Sequence, residues 1–419
     1  MITKHDYKSS KKMRRMKELY FKRFSAMTAE NNTPSQQVAN YLTSYVNICG
    51  VVKNVMMKSA SDYTLYHKPD DWYDFIEELT TAQSKVDIWT NKVLKHLKSL
   101  PGKLSGDANL LVTHDFDKML SKCIFLIDDP NHSSTLQHLK LDIQAAYNTI
   151  DDMLQDTQDI INQMDNFSNN ITPLANELEN LSNRAYNDRQ IDSEKVMNLR
   201  NDVSMIKADI ANCGVMLIAS LLVEGGIILI GEGITIATFI ATGPLGGISI
   251  GFFTATLAVL DFIAITLCGA NLISEINKLS EKTKSLNQYE QDALQLGIAA
   301  DDFDTLSKQA DGMKNDLKVM MNMWNNIKAD LQDEEKRIEQ GEKEMKNKEF
   351  FTSNDWKETS EKLEQVSQWF KRFSEEILKL NVDALFGAET QLSVGMSSDE
   401  VKAAVDKAPK KELIAYLTA

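Results

Sequence analysis

The residue types that most often carry chemistry are present in this chain, but none has the spacing a reaction needs. Its six histidines are His5, His67, His96, His114, His132 and His138. They make neither HExxH nor a Glu-x-x-His pair, so no zinc or di-iron ligand set is legible. His132 and His138, beside a helix start, read as surface residues. The four cysteines, Cys49, Cys123, Cys213 and Cys268, form no CxxC or zinc-type spacing. No GxSxG elbow and no GxxxxGKS/T loop occurs, and the glycine-rich turn Gly243–Gly247 carries no lysine to hold a phosphate. The side chains Met313, Met320, Met321, Met323 and Trp324 fall at core spacing. No catalytic, cofactor-binding or metal-binding residue is assigned, and the expectation is a protein without enzymatic activity or cofactor.

The chemistry that remains is solvation. From Cys213 to Asn271 the chain is far more apolar than anywhere else, and between Gly233 and Leu260 it has no charged residue. Gly243-Pro244-Leu245-Gly246-Gly247 cuts this block in two, proline removing a donor and glycine supplying unusual backbone angles. As a helix each arm would be about 40 Å long against a hydrocarbon core of about 30 Å. The reading is a helical hairpin built to enter membranes, with a two-stranded β-tongue, suggested by Ile234-Thr235-Ile236, as the alternative. The residues assigned to insertion are Val215, Leu217, Leu221, Leu222, Ile227, Ile228, Leu229, Ile230, Ile234, Ile236, Phe239 and Ile240 before the turn. After it they are Leu245, Ile248, Ile250, Phe252, Phe253, Leu257, Leu260, Phe262 and Ile263. Gly243, Pro244, Gly246 and Gly247 form the turn.

Three carboxylates, Glu224, Glu232 and Asp261, are expensive in lipid unless they face water or a partner. Small residues such as Gly225, Gly226, Ala237, Gly251 and Ala255 let two segments approach closely. Cys213 and Cys268 bracket the block almost symmetrically about its turn. A disulfide between them would clamp its base in an oxidising compartment, and two buried thiols are the other reading.

The elements that must position this block are helical. The chain has 419 residues, a net charge of −14 and only seven prolines. That charge balance argues against nucleic acid as a partner. The positive charge from Lys4 to Arg23 is followed by no apolar run suited to a signal peptide. Thr33-Pro34-Ser35-Gln36 is a capping box that opens a helix. A second helix starts after Pro69-Asp70-Asp71 and is expected to stop at Pro101-Gly102, and a third ends at Asp128-Asp129-Pro130.

From Leu136 the apolar positions alternate by three and four: Leu139, Ile143, Ala146, Ile150, Met153, Ile160, Met164, Phe167, Ile171, Leu174, Leu178 and Leu181, with Thr157 the one polar member. This heptad seam predicts a helix supercoiling on a partner, kinked or divided at Pro173. Its phase jumps between Ala185 and Val196. Beyond the apolar block a second seam runs through Phe303, Leu306, Ala310, Met313, Leu317, Met320, Trp324, Ile327, Leu331 and Ile338. Two long helices meeting at an apolar hairpin predict an antiparallel stalk. An amphipathic helix from about Asn354 follows, with Trp356, Leu363, Phe370, Phe373, Ile377 and Leu378 on one face. Gly387 to Ala419 reads as a loosely packed polar tail with a short helix near Leu413.

The expected fold is therefore all-α, an elongated helical bundle with a long antiparallel coiled-coil stalk and an apolar hairpin between the two longest helices. Its expected divisions are 1–33, a basic lead-in; 34–212, bundle and first stalk helix; 213–271, hairpin; 272–348, second stalk helix; and 349–419, C-terminal helix and tail.

This layout resembles the cytolysin A superfamily of α-helical pore-forming toxins, whose members include the Xax/Yax binary toxins, tripartite haemolysins and Cry6-type proteins. The resemblance spans residues 34–380 and rests on the hairpin between heptad helices and on LKVMMNMWNNIKADL (Leu317–Leu331), similar to a Trp-bearing stretch of the second long helix in Xax/Yax and Cry6-type proteins. It implies a soluble form that shields the hairpin, then membrane binding, refolding and self-oligomerisation on a target-cell lipid membrane. With no signal peptide legible at the N-terminus, secretion is expected by another route. Glu224, Glu232 and Asp261 become candidates for facing a pore lumen. The hairpin is longer and more uniformly apolar than in single-component cytolysins, which points to one subunit of a two- or three-component toxin. A permanently membrane-anchored coiled-coil protein and a soluble helical binding module are the rivals from other classes.

Overall fold

The structure, a computed structural model, describes residues 33–58, 65–68, 70–186, 191–223, 234–242, 254–259, 274–344 apart from 276 and 280, 350–379, 385–393 and 396–418. Helix α1 spans Pro34–Met56, opened as expected by the Gln36 amide donating to Thr33 Oγ1 at 3.2 Å. Helices α2 (Trp72–Trp89), α3 (Lys95–Leu110) and α4 (Asp117–Asp128) follow, joined by π-helical turns at Thr90–Leu94 and Leu111–Phe116.

The expected stop at Pro101 does not occur, because α3 continues through it. Proline cannot donate to the carbonyl four residues back. Here that carbonyl, Leu97 O, accepts instead from the Tyr41 hydroxyl of α1. A neighbouring helix supplies the missing donor, and the helix survives.

Helix α5, Ser133–Tyr186, has 54 residues and runs on through Pro173. After the predicted break in phase, α6 spans Ser193–Val223 and leads into the apolar block. Helix α7, Gln288–Glu344, has 57 residues, and α8 spans Ser353–Lys379. Every residue predicted for the α7 seam is buried. So is the α5 seam except at Leu174, where the buried position passes to Ala175, two residues beyond Pro173. Thr157, the polar member, is fully buried and satisfies its hydroxyl on Met153 O at 2.9 Å.

By chain contacts the molecule divides into two compact units. One comprises residues up to 38, 100–159 and 317–378. Its core is aromatic: Phe116 lies 5.8 Å from Phe370, Trp324 meets Phe373 edge-on at 6.0 Å, and the Trp356 indole donates to Pro130 O at 2.9 Å. Lys140 pairs with Glu339 and Lys328 with Asp151, so α5 and α7 run antiparallel here. Leu378, predicted on the buried face of α8, is exposed instead.

The other unit holds residues 39–99, 160–316 and 379–419. Its segments of α5 and α7 are again antiparallel, with Asp165 2.7 Å from Lys314 and Thr172 Oγ1 2.9 Å from Ser307 Oγ. Trp89 stacks on Phe167 at 4.3 Å. This unit also contains a four-stranded sheet in the order β2-β1-β3-β4, built from β1 (Ile234–Thr242), β2 (Thr254–Val259), β3 (Leu385–Ser393) and β4 (Lys411–Glu412). Helix α9, Ser398–Lys407, lies between β3 and β4 in the chain, and α10, Leu413–Leu417, closes it.

The helical expectation holds for the body of the protein, but the middle of the apolar block is two strands. The reason is in the residues. ITIATFIAT and TATLAV are β-branched, Thr-containing runs of nine and six residues, which suit a pleated surface better than a helix. No helix among the described residues is long and apolar enough to cross a membrane.

Candidate membrane-insertion element

Helix α6 supplies the base of the element. Arg200 donates to Asp301 at 2.8 and 2.7 Å and to Glu179 at 3.1 Å, which ties α6 to α7 and α5. Lys207 donates to Asp302 at 2.9 Å, and Lys58, just past α1, reaches the same carboxylate at 2.7 Å. Burial works against the charge on Asp302, yet the ammoniums of Lys207 and Lys58 hold its carboxyl below the usual range. Burial pushes Lys58 below its ordinary value. One anion between two lysines makes this a strongly interdependent cluster. A cavity of about 150 Å³ lined by Asn47, Asn54, Ser204, Lys207, Asp301 and Asp302 opens beside it.

Beyond that base the hairpin is antiparallel. Thr235 pairs with Val259, Ala237 with Leu257 and Phe239 with Ala255, so the ladder is centred on position 247, within the predicted turn. Strand β2 lies along α6. Of the residues assigned to insertion, Val215, Leu217, Leu221 and Leu222 belong to α6, Ile234, Ile236, Phe239 and Ile240 to β1, and Leu257 to β2. Ile227, Ile228, Leu229, Ile230, Leu245, Ile248, Ile250, Phe252, Phe253, Leu260, Phe262 and Ile263 lie outside the described residues. So do the turn residues Gly243, Pro244, Gly246 and Gly247, the carboxylates Glu224, Glu232 and Asp261, and Cys268. Cys213 belongs to α6. Cys49 and Cys123 are buried free thiols, and desolvation pushes both well above the ordinary thiol range, which makes them unreactive.

The sequence reading missed the third strand. Strand β3 pairs with β1 in parallel along nine residues, from Ile234 opposite Leu385 to Thr242 opposite Ser393. The supposed loose tail is thus part of the sheet, and α10 anchors it. The Tyr416 ring lies against Gly387 so closely that a Cβ there would stand 1.9 Å from a ring carbon. The Tyr416 hydroxyl donates to Ala388 O at 3.1 Å. Lys53 of α1 donates to Tyr416 O at 3.0 Å with its ammonium 4.5 Å from the ring centre. Lys98 of α3 pairs with Glu412 at 2.6 Å. The sequence signal that could have found this strand was the alternation of Phe386, Ala388 and Leu392 with Gly387, Glu389, Gln391 and Ser393, which is easily lost beside so strong an apolar block.

The fold, a body of long helices carrying a strand-paired apolar hairpin, is similar to that of several solved toxin components. Over 92% of this chain and 98% of its own, soluble AhlB of the tripartite α-pore-forming toxin AHL from Aeromonas hydrophila superposes with a TM-score of 0.59 at 14% identity. Motility associated killing factor B from Vibrio cholerae matches with a TM-score of 0.60 at 10% identity, covering 90% of this chain and 99% of that one. The HblL1 toxin component of Bacillus cereus gives 0.57 at 12% identity, with 82% and 95% covered. No protein-family model and no curated protein matches the chain. The fold is the one that the sequence resemblance implied.

Proposed function

We propose that this protein is a component of an α-pore-forming toxin, stored in a water-soluble form and converted to a membrane-inserted oligomer through the apolar block 213–271. The observation that carries the reading is the β1–β2 hairpin. It is free of charge from Ile234 to Val259, and it sits in a fold shared along nearly its whole length with soluble toxin components. Burying the 36 apolar residues of this block in lipid releases tens of kcal/mol at ~25 cal/mol per Å², enough to drive a large rearrangement. Membrane contact then shifts the population toward an extended state.

The insertion surface is drawn from Val215 to Ile263, with the turn at Gly243-Pro244-Gly246-Gly247 entering first. Glu224, Glu232 and Asp261 face the lumen. The partners are a target-cell membrane, further copies of the chain and a second or third toxin subunit, as in the tripartite toxin to which AhlB belongs. The protein is secreted before it acts. Its work is mechanical and requires no bond-making chemistry, catalytic residue or cofactor.

Dye release from protein-free liposomes, measured alone and with candidate partner subunits, tests the reading. Leakage supports it, and failure to bind vesicles under every combination refutes it. Gly243→Asp places a charge at the leading turn, where it costs about 2.5–3.5 kcal/mol in the bilayer centre. Leakage should fall at least tenfold with the urea midpoint unchanged, and undiminished leakage would count against insertion through this turn.

A further inference from the structure

We infer that the C-terminal segment from β3 to α10 is a releasable clasp, whose departure from β1 is the step that frees the hairpin. The inference rests on the pore-forming reading above and adds the device that keeps the hairpin stored. A two-stranded hairpin alone is marginal in water. Without β3, the outer edge of β1 would be nine uncharged residues of open backbone, the kind of edge that recruits other strands. Strand β3 covers all nine.

The composition of the cover differs from what it covers. Strand β3 brings Glu389, Thr390, Gln391 and Ser393 to the ladder, and Glu389 is exposed. On release, the polar half of β3 is hydrated more readily than the uncharged β1 it covers. The attachment is also divisible. Tyr416 seats on Gly387 and Ala388, Lys53 and Lys98 fasten this assembly to α1 and α3, and α10 packs on the Thr90–Leu94 turn. Neither lysine belongs to the cluster around Asp302 that fixes α6. Loss of the clasp therefore exposes β1 while leaving the base of the hairpin in place.

The test uses the full chain with Cys213 and Cys268 replaced by serine and the cross-strand pair Thr238→Cys and Glu389→Cys, which are register partners. Oxidised protein should co-sediment with phosphatidylcholine–phosphatidylserine vesicles at least about tenfold less than the same protein after reduction, a difference of ~1.4 kcal/mol. Equal binding by both forms overturns the clasp. Hydrogen exchange on Tyr416→Ala gives an independent readout without membranes. Amides of residues 234–242 should lose protection while those of the α5 segment 139–153 keep theirs. Unchanged protection of β1 refutes the clasp alone. Failure of both redox forms to bind vesicles refutes the pore reading, and the release step with it.

Discussion

The seams of α5 and α7 and the sheet around β1 are held together in opposite ways. Along the seams each residue is placed by neighbours three and four positions away and by the helices it faces. Ile143, Met153, Leu317 and Trp324 are all buried where the period puts them. In the sheet, β1 is placed by β2, after eleven intervening residues, and by β3 from the far end of the chain. Local period decides the first region and remote pairing the second. The body can therefore persist while the sheet rearranges, as the proposed conversion requires.

Substitutions sharpen or break this contrast. The largest effect is expected in the body at Asp302→Asn, which leaves Lys58 and Lys207 buried without their shared counter-charge. Stability should fall by about 3–5 kcal/mol, read as the urea midpoint. Retention of full stability would mean that the cluster does not fix α6. Next is Tyr41→Phe, which strands Leu97 O beside Pro101 and should cost about 1–3 kcal/mol. The same midpoint measures it, and no change would show that the carbonyl finds another donor.

The smallest effect is expected at the clasp. Burial tends to raise the Glu412 carboxyl, but the Lys98 ammonium and the Ala415 and Ile414 amides hold it below its ordinary value. A depressed carboxyl stabilises above its unfolded pKa, and the contribution is lost as pH falls through the folded one. Acidification should thus loosen the clasp, by less than ~1 kcal/mol because the pair is part-exposed. In Glu412→Gln, exchange of β1 amides should be faster at neutral pH and less sensitive to acid. Identical pH dependence in both proteins would remove Glu412 from the device.

What the sequence disclosed follows the same line. Thr33 and Gln36 mark the start of α1, and the jump between Ala185 and Val196 marks the gap between α5 and α6, because caps and period are local. Pro101 misled because its rescue comes from Tyr41, some 60 positions away, which no local rule includes. The apolar block misled differently. A run long enough for a membrane helix hides strands of nine and six residues, since hydrophobicity without period does not distinguish the two. Of the candidate site, the apolar block and its division into two antiparallel arms were legible. Its strand pairing and its cover were not.

The parallel pairing of β1 with β3 carries a cost during synthesis. Translation proceeds from the N-terminus, so β1 emerges well before its cover, which lies about 150 positions later. At about 5–20 residues per second the gap is roughly 8–30 s. Throughout that interval the most apolar stretch of the chain has its hairpin partner but an unoccupied edge. Until β3 arrives, the backbone edge of β1 is available to any other strand it meets.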